Sequence, residues 1–184
     1  MRVGWVIFTG YQISGVGVDV IKGIGSTWGS WRTWRNCLTD NTICHDSVQC
    51  QNLLESGFEQ RCNFYVPRSF YQTLSQAPGV RAYDGNFDKP VDNIEDIIAM
   101  HLCAANNDLV LLLGGDFGSP KIIDESHRQR TIDRTGLLRG AAQSWSKVQW
   151  VAVDHAMELA PAYQNLTNFT SDKMKNVLEL LSRT

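Results

Sequence analysis

Residues 93–118, NIEDIIAMHLCAANNDLVLLLGGDFG, decide the fold class of this chain. Apolar residues recur at helical spacing through the first half of the stretch, which predicts a helix. Asp92 is the predicted N-cap, with Glu95 three residues later as in a capping box. The run Leu109–Leu113, LVLLL, then lacks polar alternation, which is typical of a strand covered on both faces. A helix that leads directly into such a strand indicates an α/β fold with a parallel sheet.

Two glycines and an aspartate, Gly114, Gly115 and Asp116, end the predicted strand. Ligands of open α/β sheets bind outside the carboxyl ends of the strands, so Asp116 lies where a ligand is expected. The glycines add no side chains there, and the carboxylate can accept hydrogen bonds from ligand hydroxyl groups. The alternative interpretation is that Gly114 and Gly115 only turn the chain and that Asp116 caps the segment that follows.

Apolar runs and helical patterns alternate along the rest of the chain. They predict one domain over residues 1–184, with a single doubly wound, mostly parallel sheet and helices on both faces, a Rossmann-like fold. Residues 13–25 are predicted to be a loop or an irregular extended segment. The predicted strands are residues 3–8, 62–66, 80–83, 109–113 and 148–153, and the further predicted helices are residues 48–61, 69–74, 130–144 and 171–183.

Length, composition and charge disfavour several classes of protein. The chain has 184 residues, of which 43% are hydrophobic and 20% are charged, and this ordinary globular usage argues against disorder. A formal net charge of −2 disfavours a broad nucleic-acid surface, so no nucleic-acid partner is expected. No apolar run approaches the roughly 20 residues of a membrane helix, and residues 1–12 make a poor signal peptide. A cytoplasmic protein without a membrane partner is therefore expected.

The cysteines indicate neither a disulfide framework nor a zinc site. Five cysteines at irregular spacing leave an odd thiol, and no C-x-x-C pair is present. Cys44 and His45, with Cys37 and Cys50 nearby, lack the closely paired ligands that are typical of structural zinc. Reduced, partly buried thiols are expected, and we predict no metal and no cofactor.

Polar residues collect where the predicted strands end. Because the carboxyl ends of parallel strands lie along one edge of a sheet, this edge is the predicted ligand site. His127 lies in a polar segment, residues 120–129, that is predicted to form a loop or lid over the same edge. The predicted ligand-binding residues at the strand ends are Thr9, Gly10, Asp84, Gly114, Gly115, Asp154 and His155.

Residues 25–46 combine tryptophan and arginine in an unusual pattern. Trp28, Trp31 and Trp34 recur every third residue, and an arginine follows each of the last two. This spacing predicts one amphipathic helix, with the indoles on one face and the guanidinium groups of Arg32 and Arg35 on a neighbouring stripe. The indoles can pack into the core, or they can form a stacking surface beside arginines that bind phosphate or carboxylate. A third interpretation is an aromatic surface for a protein partner.

Two stretches resemble bacterial sialyltransferase-like glycosyltransferases and the related motility-accessory-factor proteins. They are NNDLVLLLGGDF, residues 106–117, and CNFYVPRSF, residues 62–70, and the resemblance covers roughly residues 60–155. It implies an α/β domain that binds a nucleotide sugar at the strand ends without needing a metal. In that family a histidine in a polar lid deprotonates the acceptor hydroxyl, and the matching residue here is His127, in Asp-Glu-Ser-His at residues 124–127.

The chain departs from that family after its first strand. A G-x-G-P-S-L segment lets the backbone of the family's members approach the nucleotide phosphates, whereas this chain has TGYQISG at residues 9–15. It is also shorter, which leaves less room for a lid and an acceptor site. The resemblance rests on GDF, residues 115–117, and on the placement of His127.

The sequence leaves three hypotheses about function open. In the first, a glycosyltransferase-like enzyme, Asp116 binds the ribose or sugar and His127 is the general base. Arg32 or Arg35 then meets phosphate. The second is a non-catalytic protein that binds a nucleotide or a small anion. The third is an assembly protein that uses residues 28–34 as a partner surface. The patterns do not define the oligomeric state.

Overall fold

Strands and helices alternate along the chain. The structure is a computed structural model that describes residues 1–9, 18–73, 77–85, 87, 91–115, 117–118, 125–154 and 158–183, without the side chains of residues 18, 19, 35, 36 and 125–131. The strands within these ranges are β1 Val3–Ile7, β2 Ser26–Ser30, β3 Asn41–Ile43, β4 Asn63–Pro67, β5 Val80–Tyr83, β6 Leu109–Leu113, β7 Gln149–Val153 and β8 Phe169–Asp172. The α-helices are α1 Val18–Lys22, α2 Trp31–Cys37, α3 Ser47–Glu55, α4 Arg68–Tyr71, α5 Ile94–Ala104, α6 Glu125–Ser144, α7 Pro161–Gln164 and α8 Met174–Leu181, with a 3-10 helix at Phe58–Gln60.

The sheet is parallel and doubly wound, which confirms the predicted fold class. Its order within the described ranges is β5-β4-β3-β2-β1-β6-β7-β8, and all neighbouring strands run in the same direction. The chain winds outward from β1 to β5, returns to the centre through α5, and winds outward again from β6 to β8. β1 and β6 therefore meet at the topological switch point, which is where open α/β sheets form a crevice.

Helices cover both faces of the sheet. Val110 and Leu112 of β6 pack with α5, α6 and α7 on one face, and Leu111 packs with α1, α2 and α8 on the other. Successive residues of a strand point to opposite faces, so all five residues of β6 are buried. This double burial is why LVLLL shows no polar alternation. None of the described helices is long and apolar enough to cross a membrane.

Residues 28–35 do not form the single helix that their tryptophan spacing predicts. Trp28 lies in β2, Trp34 lies in α2, and β3 follows. β2 and β3 contain few apolar residues, and they can be buried because their polar groups are paired. The Asp40 carboxylate accepts hydrogen bonds from the Thr27 amide at 3.0 Å and from the Thr27 hydroxyl at 2.7 Å. A buried strand whose polar groups are satisfied in this way carries little apolar signature in its sequence.

Other boundaries also differ from the prediction. The prediction omits the edge strand β8, because only Phe169 of its four residues is buried. Residues 171 and 172 belong to this strand, and the final helix begins at Met174. α1 occupies part of the predicted loop at residues 13–25, and α6 begins at Glu125, inside the predicted lid.

Two residues with left-handed backbones set further boundaries. Gly57, with φ of 70°, separates α3 from the 3-10 helix, so residues 48–61 are not one helix. Asn93, with φ of 55°, is the N-cap of α5 and makes no side-chain capping bond, so the predicted Asp92 cap is wrong. The main-chain carbonyl groups of Asp92 and Asn93 accept hydrogen bonds from the guanidinium group of Arg134 in α6, and these bonds hold the segment before α5.

We expect Leu111→Ala to lower the free energy of unfolding by about 2–5 kcal/mol, because it leaves a cavity in a core that cannot collapse freely. Leu111 is fully buried in β6. The matched control is Leu180→Ala in α8, where the side chain is 59% exposed and the expected change is within about 0.5 kcal/mol. Urea denaturation of the two variants checks the difference, and similar values for both would contradict a doubly covered β6.

Candidate functional site

The carboxyl ends of β1 and β6 lie side by side at the switch point. The Phe8 amide donates a hydrogen bond to the Leu113 carbonyl at 2.9 Å and so extends the strand pairing by one residue. Thr9 follows Phe8 directly and Gly114 follows Leu113 directly, and Gly115 comes next in the sequence. The structure therefore brings Thr9, Gly114 and Gly115 to one place, as expected for residues at the ends of adjacent strands.

A buried carboxylate contacts Thr9 at this point. The Asp96 side chain, from the first turn of α5, is fully buried and accepts hydrogen bonds from the Thr9 amide at 3.0 Å and the Thr9 hydroxyl at 2.9 Å. Its second oxygen lies 3.2 Å from a guanidinium nitrogen of Arg134, whose side chain is 24% exposed. One carboxylate therefore joins the end of β1 to α5 and α6.

Burial raises the pKa of Asp96 to about 6, because the charged carboxylate loses its hydration. The charge of Arg134 and the hydrogen bonds from Thr9 act in the opposite direction on the same pKa, since they stabilise the ionised form. Asp96 is consequently ionised at neutral pH and takes up a proton on mild acidification. Protonation removes the ionic attraction to Arg134.

Hydroxyl groups extend this network toward β2. The Thr9 hydroxyl oxygen is 2.8 Å from that of Ser30, which is 3.2 Å from that of Thr33. Ser30 is also the N-cap of α2 and accepts a hydrogen bond from the Thr33 amide at 3.1 Å. Ser30 and Thr33 are both buried. Thr9 is therefore fixed from the side of β2 as well as from α5.

Gly114 and Gly115 each have a structural role. Gly114 has φ of 78°, a left-handed backbone that other residues rarely adopt. A Cβ atom on Gly115 would lie 2.4 Å from the ring of Phe117. Phe117 packs edge-on against Phe8 and Tyr163, with ring centroids 5.6 Å and 5.4 Å apart, and so anchors the chain after β6 in the core. The turn interpretation of the two glycines therefore has a physical basis, and it is compatible with a ligand above them.

A cleft of about 650 Å³ lies along the same edge, at the carboxyl ends of β2, β3 and β4. The segment that leads into α5 and the first turn of this helix form part of its wall, together with the beginnings of α2, α3 and α4. The residues that matter for its chemistry are Arg32, His45, Phe70, Asp92, Asn93 and Glu95.

Charged groups of both signs line this cleft. The Arg32 side chain is exposed, and its guanidinium carbon lies 5.1 Å from the ring centroid of Trp31. His45 Nδ1 is 2.6 Å from the hydroxyl oxygen of Tyr83. Burial raises the pKa of that phenol well above its usual range, so it stays protonated. Glu95, by contrast, is only 5% exposed. The cleft therefore offers hydrogen-bond donors and acceptors together.

Two of the predicted ligand residues have protein partners away from the switch point. The exposed Asp84, after the border strand β5, accepts two hydrogen bonds from the guanidinium group of Arg68. Asp154, after β7, has φ of 51° and accepts a hydrogen bond from the Met174 amide at 2.9 Å, at the first residue of α8. These contacts give both aspartates a structural role.

The remaining predicted residues lie wholly or partly outside the described residues. Gly10, Asp116 and His155 fall in the gaps between the described ranges. The main chain of Arg35 belongs to α2 and that of His127 to α6, and their side chains are not among those described. His127 is therefore a helical residue, and the prediction of a loop at this position is wrong.

The predicted site omits Asp96, Arg134 and Glu95. Asp96 precedes Met100 and Cys103 by four and seven residues, and both of these are fully buried. This spacing places Asp96 on the apolar face of α5, and a charge on such a face is the signal that identifies it. Arg134 gives no comparable signal, because its role depends on how α6 packs beside α5.

Comparison of the chain with protein-family models, with curated proteins and with solved structures found no match. None of the five cysteines, which all lie in the described ranges, forms a disulfide bond. Among the described residues, no three or more histidine, cysteine, aspartate or glutamate side chains are placed to hold a metal ion. The chemistry of the switch point and of the neighbouring cleft must therefore be inferred from their own residues.

We expect Asp96 to make the stability of the protein depend on pH with a defined sign. The pKa of Asp96 is raised in the folded state, so its contribution is fully present below about pH 4 and is lost as the pH rises through about 6. The free energy of unfolding of the natural protein, relative to Asp96→Asn, should fall by about 2 kcal/mol between about pH 4 and about pH 7. Denaturant titrations of both proteins across this range measure the difference.

The control for this experiment is Asp108→Asn at the opposite edge of the sheet. Asp108 is exposed and paired with Arg2, whose hydrogen bonds hold the pKa of this carboxyl below its usual range. Its contribution is present above about pH 4 and is lost on further acidification, so this variant should follow the natural protein between about pH 5 and about pH 7. Parallel pH profiles for Asp96→Asn and the natural protein would contradict the assignment.

Proposed function

We propose that the chain binds a nucleotide or a nucleotide sugar over the switch point between β1 and β6. The observation that carries the proposal is the buried Asp96 carboxylate, which fixes Thr9 at the end of β1 and is paired with Arg134. Burial of a charge is costly, and perturbed carboxyl groups in crevices are enriched at functional sites. Open α/β sheets bind their ligands at this place in the fold.

The described groups around the switch point suit the phosphates of such a ligand. Arg134 keeps 24% of its side chain exposed, and its guanidinium group donates to Asp96 and to two carbonyl groups of the segment before α5, so a positive charge is held near the switch point. Gly114 is exposed, and neither it nor Gly115 adds a side chain to the crevice. A guanidinium group beside bare backbone supports phosphate binding by charge and by main-chain hydrogen bonds.

In the enzymatic form of this proposal, the nucleotide sugar is the donor for glycosyl transfer. The acceptor hydroxyl attacks the anomeric carbon, the bond from that carbon to the nucleotide phosphate breaks, and His127 takes the hydroxyl proton as general base. Asp116 accepts a hydrogen bond from a ribose or sugar hydroxyl. The resemblance to sialyltransferase-like enzymes supports both roles. A binding protein without turnover would use the same nucleotide site and lack the transfer step.

The hypothesis of an aromatic partner surface gains nothing from the packing of the tryptophans. Trp28 is 3% exposed, and Trp31 and Trp34 are half-buried against an apolar cluster that includes Phe58. The rings of Trp34 and Phe58 are 4.6 Å apart between centroids. Core packing accounts for this stretch, so nucleotide binding remains the better-supported proposal.

We expect nucleoside diphosphates or their sugar conjugates to raise the melting temperature, since a ligand selective for the native state adds RT ln(1 + [L]/Kd) to its stability. Asp116→Asn keeps the shape of the side chain and removes its charge, so it should weaken binding about tenfold with little change in the melting temperature of the free protein. Asp108→Asn, at the opposite edge, is the matched control and should bind as the natural protein does. An unresponsive natural protein, or equal affinity in both variants, would contradict the proposal.

The catalytic role of His127 has a separate test. His127→Ala should lower the rate of donor hydrolysis or transfer by about 10²–10⁴-fold while nucleotide affinity stays the same, because a general base acts on the acceptor and not on the bound nucleotide. Single-turnover assays with the nucleotide sugar that binds best measure the rate. If that sugar binds to the natural protein and is never turned over, the chain is a binding protein.

A further inference from the structure

We propose that the cleft at the ends of β2, β3 and β4 is a second ligand site, and that it binds a polyhydroxylated ring, a sugar. It is separate from the nucleotide site at the switch point, and the first turn of α5 lies between the two. Asp96 of this turn contacts Thr9 at the switch point, whereas Glu95 lines the cleft. The cleft therefore needs an explanation that the Asp96 network does not supply.

Glu95 is the observation that points to a ligand. It is 95% buried and lines the cleft, yet no described residue donates a hydrogen bond to its carboxylate or forms an ion pair with it. Its carboxylate oxygens reach the cleft and are not enclosed in the interior, and polar groups of a nearly buried residue normally have a hydrogen-bond partner. A hydroxyl group of a bound ligand would provide the missing donor.

The mixture of donors and acceptors selects the kind of ligand. Asp92 and Glu95 can accept hydrogen bonds, whereas Arg32 can only donate them. Within the described part of the chain, none of these three side chains has a hydrogen-bond or ion-pair partner. A hydroxyl group both donates and accepts, so a ring that carries several hydroxyls can satisfy groups of both kinds. A simple cation would pair with the carboxylates and be repelled by Arg32. A simple anion would pair with Arg32 and be repelled by the carboxylates.

The aromatic groups and the size of the cleft fit the same ligand. Phe70 is half-buried in the wall and can pack against the apolar C–H face of a sugar ring. His45 also lines the cleft, and its Nδ1 is held by the Tyr83 hydroxyl, with the two ring centroids 6.3 Å apart, so Nε2 has no hydrogen-bond partner among the described residues. A volume of about 650 Å³ is within the range of small-molecule sites and exceeds the needs of one monosaccharide.

The experiment is saturation-transfer NMR with four methyl glycosides, those of glucose, galactose, mannose and N-acetylglucosamine. We expect at least one to bind the natural protein and to bind Glu95→Gln about tenfold more weakly, because a hydrogen bond to a charged acceptor is replaced by a neutral one. The control is Glu179→Gln on α8, an exposed glutamate paired with Arg183, which should bind as the natural protein does. Glu95→Gln should also keep its melting temperature, since its carboxylate supports no described hydrogen bond.

Arg32→Gln is the second variant, at an exposed position where folding is not at risk. It should weaken sugar binding, whereas Glu95→Gln should leave the affinity for nucleoside diphosphates unchanged, so the two sites give separate readouts. If the natural protein binds a glycoside but no nucleoside diphosphate, only the switch-point proposal is refuted. The sugar site is overturned if none of the four glycosides binds, if Glu95→Gln binds as tightly as the natural protein, or if an organic amine such as putrescine binds there in place of every sugar.

Discussion

The contact between the Asp96 carboxylate and Thr9 is the interaction on which the carboxyl edge of this sheet depends. A charged side chain in a protein interior carries a penalty of several kcal/mol even after relaxation, and it persists only where donors offset that penalty. Here the donors come from Thr9, which lies just after β1, and from Arg134 of α6, while α5 carries the acceptor Asp96. The same contact therefore sets where the chain leaves β1 and how α5 and α6 pack beside the switch point.

The first turn of α5 divides the edge into two chemically different regions. Successive helical residues are about 100° apart around the axis, so Glu95 and Asp96 contact different surroundings. Asp96 is enclosed by protein donors, whereas Glu95 lies in a cleft without one among the described residues. Both residues are buried, but within the described part of the chain only the Asp96 carboxylate receives hydrogen bonds. This difference separates a structural charge, which positions a loop, from a charge that is available to a ligand.

The fold class follows from the sequence because double burial leaves a direct trace in residue type. LVLLL is apolar throughout since both of its faces are covered, and the strand at Leu109–Leu113 is found where it is predicted. β2 and β3 leave no such trace, because buried polar groups such as the Thr27 hydroxyl are satisfied by neighbours such as Asp40, just before β3. The tryptophan spacing likewise suggests one helix, although a strand and a helix share these residues. Periodicity alone does not distinguish side chains that are buried by different elements.

The candidate site is predictable to the extent that topology determines it. The proximity of Thr9 to Gly114 follows from the pairing of two strands. Asp84, by contrast, follows β5 at the far border of the sheet, and Asp154 follows β7 next to β6 but is held by the start of α8. Strand order is a long-range property that no local pattern encodes. The role of Asp96 is visible in principle, as a charge on an apolar helical face, but its partner Arg134 depends on helix packing.

The most direct test of ligand binding at the switch point is chemical-shift mapping of the labelled protein with a nucleoside diphosphate. Binding over the ends of β1 and β6 predicts that the largest amide shifts occur at Thr9, Gly114, Gly115 and Phe117. The amides of Arg2 and Asp108, at the opposite edge of the same strands, should stay in place. Shifts that centre on the amino-terminal edge of the sheet, or a spectrum that no nucleotide changes, would contradict ligand binding at the switch point.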